Sequence, residues 1–115
     1  MSGNRDQEPR NWRRTREFRQ LRRSLLENLE ARGMLEEIYR DKAMEYMDLW
    51  VRRRELQEDI ARRGVTVWDD KRGQTENRSV TLELQTAKLM LAIYNALGFA
   101  EKAGSGRSMA AEDEL

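Results

Sequence analysis

The 115 residues predict a mainly α fold: a helical core of about three long helices, with a small β-hairpin inserted before the last one. Three observations carry this prediction. Apolar residues recur three and four positions apart in three separate stretches, the spacing that lines one face of a helix. Between the second and third stretches the period drops to two, at Val65-Thr66-Val67-Trp68, as on a half-buried strand. Gly33, Gly64 and Gly98 stand where each helical pattern ends, the position at which a helix C-terminus favours glycine.

Residues 1–9 are polar and hold the single proline, which reads as a disordered lead. A basic N-terminal helix is expected within 10–33, with Phe18, Leu21, Leu25 and Leu29 on its apolar side. Residues 34–99 form the expected core and oligomerisation domain. In it, Asp41 is a good N-cap for the second helix, with Met34–Tyr39 either a short turn before that helix or a continuation of the first. Ala43, Tyr46, Leu49, Trp50, Leu56 and Ile60 make its stripe, widened by Met44, Met47 and Val51. A face that wide implies burial between two helices or against another subunit. The hairpin is expected over 65–76, its turn at Asp69-Asp70-Lys71-Arg72-Gly73, with a positive-φ glycine. Asn77 or Ser79 then caps the third helix. Its two apolar stripes, Val80/Leu84/Ala87/Leu91/Tyr94 and Leu82/Leu89/Ile93/Leu97, predict the most buried element of the fold. Residues 100–115 read as a flexible acidic tail.

Composition narrows the chemistry. The chain has no cysteine and no histidine, so it lacks a thiol nucleophile, a thiolate metal site and the usual general base near neutral pH. No catalytic constellation of carboxylates, Lys, Tyr or Ser is evident, no Gly-rich phosphate loop is present, and no cofactor is expected. Glu36-Glu37 and Asp69-Asp70 lack a third ligand, so no metal site is expected either. No apolar run approaches the roughly 20 residues that span a bilayer. A soluble, non-enzymatic protein is the expectation.

The formal net charge of +1 conceals a polarity: residues 1–33 hold nine basic and five acidic groups, whereas residues 99–115 hold two and four. Arg10, Arg13, Arg14, Arg16, Arg19, Arg22 and Arg23 fall within fourteen residues, opposed only by Glu17. The planar guanidinium fork suits phosphate, so these seven are the candidate DNA-binding residues. Backbone contact is favoured over base reading, with Asn11 and Gln20 the nearby exceptions. Trp12, among them, either stacks on a base or anchors the helix. Arg52-Arg53-Arg54 and the hairpin-tip pair Lys71-Arg72 form a second candidate DNA-contacting set; salt bridges and plain turn chemistry are their competing readings. Trp68 is expected to be a packing residue.

The stretch from Asp41 to Phe99 resembles the small subunit of bacteriophage terminases. The residues that carry the likeness are the aromatic helix Glu45-Tyr46-Met47-Asp48-Leu49-Trp50, the charged run Ile60-Ala61-Arg62-Arg63-Gly64-Val65, the hairpin, Asn77 opening the last helix, and the Leu97-Gly98-Phe99 exit. Arg78 stands where related sequences commonly have proline, and Ala100-Glu101 where they often have Thr/Ser-Pro. The resemblance implies a ring-shaped homo-oligomer that binds double-stranded viral DNA in the host bacterial cytoplasm. It also implies that the protein recruits or regulates the large ATPase–nuclease subunit for genome packaging. On that reading Tyr46, Met47, Trp50, Leu89, Ile93 and Leu97 are the expected oligomer interface. Glu112, Asp113 and Glu114 are then the expected tail contact with the large subunit. The alternative is a non-enzymatic helical scaffold or adaptor whose Arg-rich N-terminus binds a protein partner.

Overall fold

A computed structural model describes residues 10–99. The chain enters through a 3₁₀ turn at Trp12–Arg14, followed by α1 (Arg16–Ala31), α2 (Glu37–Arg63), β1 (Thr66–Asp69), β2 (Gly73–Glu76) and α3 (Arg78–Ala96). The expected basic helix is therefore shorter than its pattern. Thr15 breaks it, in extended conformation, and caps α1 by accepting the Phe18 N–H at 3.2 Å. Its hydroxyl also donates to the Trp12 carbonyl, tying the 3₁₀ turn to the helix.

The second helix starts earlier than Asp41. Glu36 occupies the N-cap position without a side-chain hydrogen bond, and α2 runs 27 residues from Glu37, about 40 Å at 1.5 Å per residue. The reason is packing: Tyr39, inside the added turn, packs against the core cluster of Leu29, Ala43, Ile93 and Leu97. Apolar burial of this kind stabilises by about 1.5–3 kcal/mol per large side chain, more than the roughly 1 kcal/mol a good N-cap contributes.

Helix α2 is the spine. The first cluster lies at its N-terminal half, between α1 and the end of α3. The second, Trp50, Val51 and Met90, lies farther along and is covered by Trp12, Phe18 and Leu21. In the hairpin, Thr66 pairs with Glu76 and Asp69 with Gly73, antiparallel. The Asp69 carboxylate accepts the Lys71 and Arg72 N–H groups at 2.7 and 3.0 Å. Gly73 turns the chain at φ +78°.

Where α2, the hairpin and α3 meet, Asn77 is fully buried. Its side-chain oxygen caps α3 through the Ser79 N–H and accepts from Arg63, while its amide donates to the Gly64 carbonyl and to Asp59. Asp59 also accepts the Ser79 hydroxyl at 2.6 Å and pairs with Arg62 and Arg63. The Ser79 bond is the main cause that holds the Asp59 carboxyl below the ordinary carboxylate range, with Asn77 and the two arginines adding to it.

Helix α3 departs from expectation. It is not the most buried element: Leu84, Leu89 and Leu91 are more than half exposed. Its inward line draws Ile93 and Leu97 from one expected stripe but adds Thr86 and Met90, which belong to neither. Thr86 is tolerated inside because its hydroxyl donates to the Leu82 carbonyl at 2.7 Å, so that this buried polar group is paired. Among the described residues no helix is long and apolar enough to cross a membrane.

Candidate nucleic-acid interface

All seven arginines of the N-terminal cluster are exposed. Arg16, Arg19 and Arg23 recur three and four apart on α1 and lie opposite Phe18, Leu21, Leu25 and Leu29, which face α2. Arg19, Arg22 and Arg23 line a shallow cleft of about 340 Å³ with Leu26, Glu27 and Glu30. Arg10 stacks over the Trp12 ring at 5.0 Å, and the Arg19 guanidinium donates to the Arg14 carbonyl at 2.8 Å. Of the seven, only Arg13 is ion-paired among the described residues, to Asp48 at 2.9 Å. From Arg10 to Arg23 the chain carries seven positive charges and one negative. Within the fold Asp48 pairs with one of the seven, and Glu27 and Glu30 share the cleft of three others.

The order of charge along α1 works against the helix. Glu17 is the only acid of the first turn, set beside Arg16 and Arg19, and the last turn has no basic residue. Glu27 and Glu30 occupy the C-terminal half instead. The positive end of the helix dipole favours acids, and each misplaced surface charge costs about 0.3–1 kcal/mol. Charge placed at a stability cost, and left unpaired, is what a site for a polyanion requires.

Trp12 is fixed from several sides. Its indole N–H donates to Glu58, its ring meets Trp50 edge-on at 5.8 Å, and the Arg54 guanidinium lies 6.0 Å from its centroid. It is the anchor that holds the Arg10–Arg14 segment against α2, and a base stacking on it would have to displace Arg10.

The second basic set divides. Arg53 is partly buried and donates to Glu83 at 2.7 Å. Arg54 lies 5.0 Å over Trp50 and donates to Gln57. Both help bind α2 to its neighbours. Arg52 is exposed, as are Lys71 and Arg72 at the hairpin tip. Trp68, expected to be a packing residue and not a base-stacking one, is 74% exposed. Its indole lies beside Gly73, where an added Cβ would be 3.8 Å from the ring. A four-residue strand in a two-stranded sheet has one face over the Val67–Thr75 side and leaves the other to solvent.

The residues expected at an oligomer interface also divide. Met47, Trp50, Ile93 and Leu97 are buried within this one chain. Leu89 is 56% exposed. Tyr46 is partly buried, its ring 6.4 Å from that of Tyr94; burial, with Tyr94 beside it, pushes its phenol above the ordinary value while Arg53 opposes the shift. Glu112, Asp113 and Glu114 lie outside the described residues. The Asn77–Asp59–Ser79 hub was legible in the sequence only as a helix cap. Glu58 as the Trp12 acceptor had no sequence signal at all.

A family model described as phage terminase, small subunit, matches residues 19–114. No curated protein and no solved structure matches the chain.

Proposed function

The chain belongs to the phage terminase small-subunit family, which supports a role in phage DNA packaging, and within that role we propose that the arginine face of α1 grips duplex DNA. The observation that carries this reading is the set of seven exposed arginines in fourteen residues, one of them ion-paired. Arg10, Arg13, Arg14 and Arg16 precede the matched segment, so for them the reading rests on geometry alone. Arg13 holds the 3₁₀ turn to α2 through Asp48, and the remaining six neutralise phosphates. Such contacts follow the backbone and release counterions; Asn11 and Gln20, both exposed, are the groups available for base edges. Arg52, Lys71 and Arg72 extend the contact, while Arg53 and Arg54 act through the packing of α2.

The protein works as a non-catalytic recognition part in the host cell. Its copies form a ring, and the acidic tail at Glu112–Glu114 engages the large ATPase–nuclease subunit. No residue is assigned a chemical step or a cofactor.

Fluorescence anisotropy on a labelled duplex tests the DNA reading. Neutralising six phosphates gives a slope of log K against log[salt] of roughly −5. Changing Arg14, Arg16, Arg19 and Arg23 together to Ala removes exposed groups and no core contact. It should weaken binding about ten- to a hundredfold at moderate salt and flatten the slope. Unchanged affinity in a folded variant would move the site off α1 and favour the adaptor reading, in which the same arginines bind protein.

A further inference from the structure

The outward residues of the three helices differ sharply in charge. Of ten exposed positions on α1 seven are charged, and of thirteen on α2 eleven are charged, but of ten on α3 only Arg78 and Lys88 are. In this chain a helix surface that meets water is a charged one. The outward side of α3 carries leucines in place of charges, with Leu84, Leu89 and Leu91 exposed at 56, 56 and 57%.

One flank of α3 belongs to a groove. Both α1 and α3 rest on α2, and an open channel runs between them. One half, about 180 Å³, is lined by Leu21, Leu25, Tyr46, Tyr94 and Phe99, with the uncharged polar Ser24 and Asn28 on its α1 side. The other half, about 250 Å³, is lined by Tyr46, Ala87, Met90, Leu91, Tyr94 and Arg53. Tyr46 and Tyr94 form the floor common to both. Arg53 is the one charged lining residue, and Glu83 already neutralises it at 2.7 Å. The groove is thus mainly apolar and aromatic, and without net charge.

Leu89 lies on the other flank. It is two residues from both Ala87 and Leu91, so at about 100° per residue it points about 160° away from them around the helix. Gln85, Ala92 and Ala96 share its side, a narrow ridge with no charge from Gln85 to Ala96; Arg78 lies on that side only at the first residue of the helix. One molecule therefore carries an uncharged groove and an uncharged ridge on opposite flanks of the same helix. An apolar patch and an apolar pocket at different places on one surface join copies head to tail, and a head-to-tail contact is satisfied at every copy when the series closes.

We infer that the Leu89 flank of α3 in one copy seats in the Tyr46–Tyr94 groove of the next. The occupant is a second copy of this chain because α3 is the only described helix whose outward side matches the charge-free groove. The inference rests on the ring reading above and is independent of DNA binding.

Light scattering on Leu89→Glu and Leu91→Glu variants of the full chain tests it. Both leucines are exposed, so neither change opens the core, and circular dichroism checks that the helical content is kept. The wild-type protein should be a large oligomer. Each variant alone should fall to the mass of one chain, 13.7 kDa. An equal mixture should recover a species of twice that mass and nothing larger, because one variant keeps its groove and the other its ridge. A variant that stays a full oligomer, or a mixture that stays monomeric, overturns the proposal while leaving the ring reading standing. A monomeric wild type sinks both. The absence of native cysteine allows a second readout: oxidised Leu89→Cys/Leu91→Cys double variant should give a ladder of cross-linked multimers. Leu89→Cys alone should give no cross-link, and a dimer from it would mean a two-fold α3–α3 contact instead.

Discussion

At the junction around Asn77, Arg62 and Arg63 pair with Asp59, and Arg63, Ser79 and Gly64 all bond to the buried amide. Along α1, Arg16, Arg19, Arg22 and Arg23 lie on an exposed surface and make no ion pair among the described residues. The two regions use the same residue type. At the junction its donors help join α2, the hairpin and α3, and both guanidinium groups share the Asp59 carboxylate within 3.4 Å. On α1 the donors face outward and the charges add, in an order that the helix dipole opposes. Arginine spacing does not distinguish these two uses; the position of the nearest acceptor does.

Substitutions on either side should separate them. The largest effect is expected from Asn77→Ala, which removes a cap and takes the donor from the Gly64 carbonyl. It should cost about 2–4 kcal/mol, read by denaturant unfolding at fixed protein concentration, with DNA affinity of the folded fraction unchanged. A shift below about 0.5 kcal/mol, the range of ordinary surface changes, would remove the distinction between the two regions.

The same junction has an acid-side signature. Because the folded-state value of Asp59 lies below its unfolded one, its contribution is complete above the ordinary aspartate range and is lost as pH falls through the lowered value. The stability advantage of the wild type over Asp59→Asn should therefore be full at neutral pH and shrink in acid. An advantage independent of pH would mean that the carboxylate charge plays no part in the lock.

Arg54→Ala is expected to cost about 1 kcal/mol through lost stacking on Trp50 and Trp12. Its effect on DNA binding should follow the loosening of the Arg10–Arg14 segment, giving weaker affinity with an unchanged salt slope. A flatter slope would make Arg54 a phosphate contact.

The smallest stability effect has the opposite sign. Arg16→Glu puts an acid at the positive end of α1 and should stabilise the protein by about 0.3–1 kcal/mol, while lowering DNA affinity. Loss of stability would show that the arginine face serves the fold after all.

Much of the architecture was legible from period and punctuation. The 3–4 spacing placed three helices, the alternation at Val65–Trp68 placed the hairpin, and Gly33, Gly64 and Asn77 marked ends that the structure keeps. The arginine cluster was equally plain, because a run of like charge needs no partner to be seen. Less legible were contacts between residues far apart in sequence. Trp12 with Glu58 and Arg13 with Asp48 join positions 46 and 35 residues apart, which no local pattern encodes. The start of α2 moved to Glu37 because Tyr39 reaches the core.

The sequence by itself therefore determined which segments are helical, where they stop, and that a strongly basic stretch precedes a nearly neutral helix. These follow from backbone preference and spacing, which act over a turn or two. Only the tertiary structure decided which apolar stripe went inside. It buried Met47, Trp50, Ile93 and Leu97 in one chain, admitted Thr86 to the core, and left Leu89 and the Tyr46–Tyr94 groove on the surface. The periodicity of α3 offered more apolar face than α2 alone can cover. Which part is covered depends on how two helices lie against each other, a relation between distant residues.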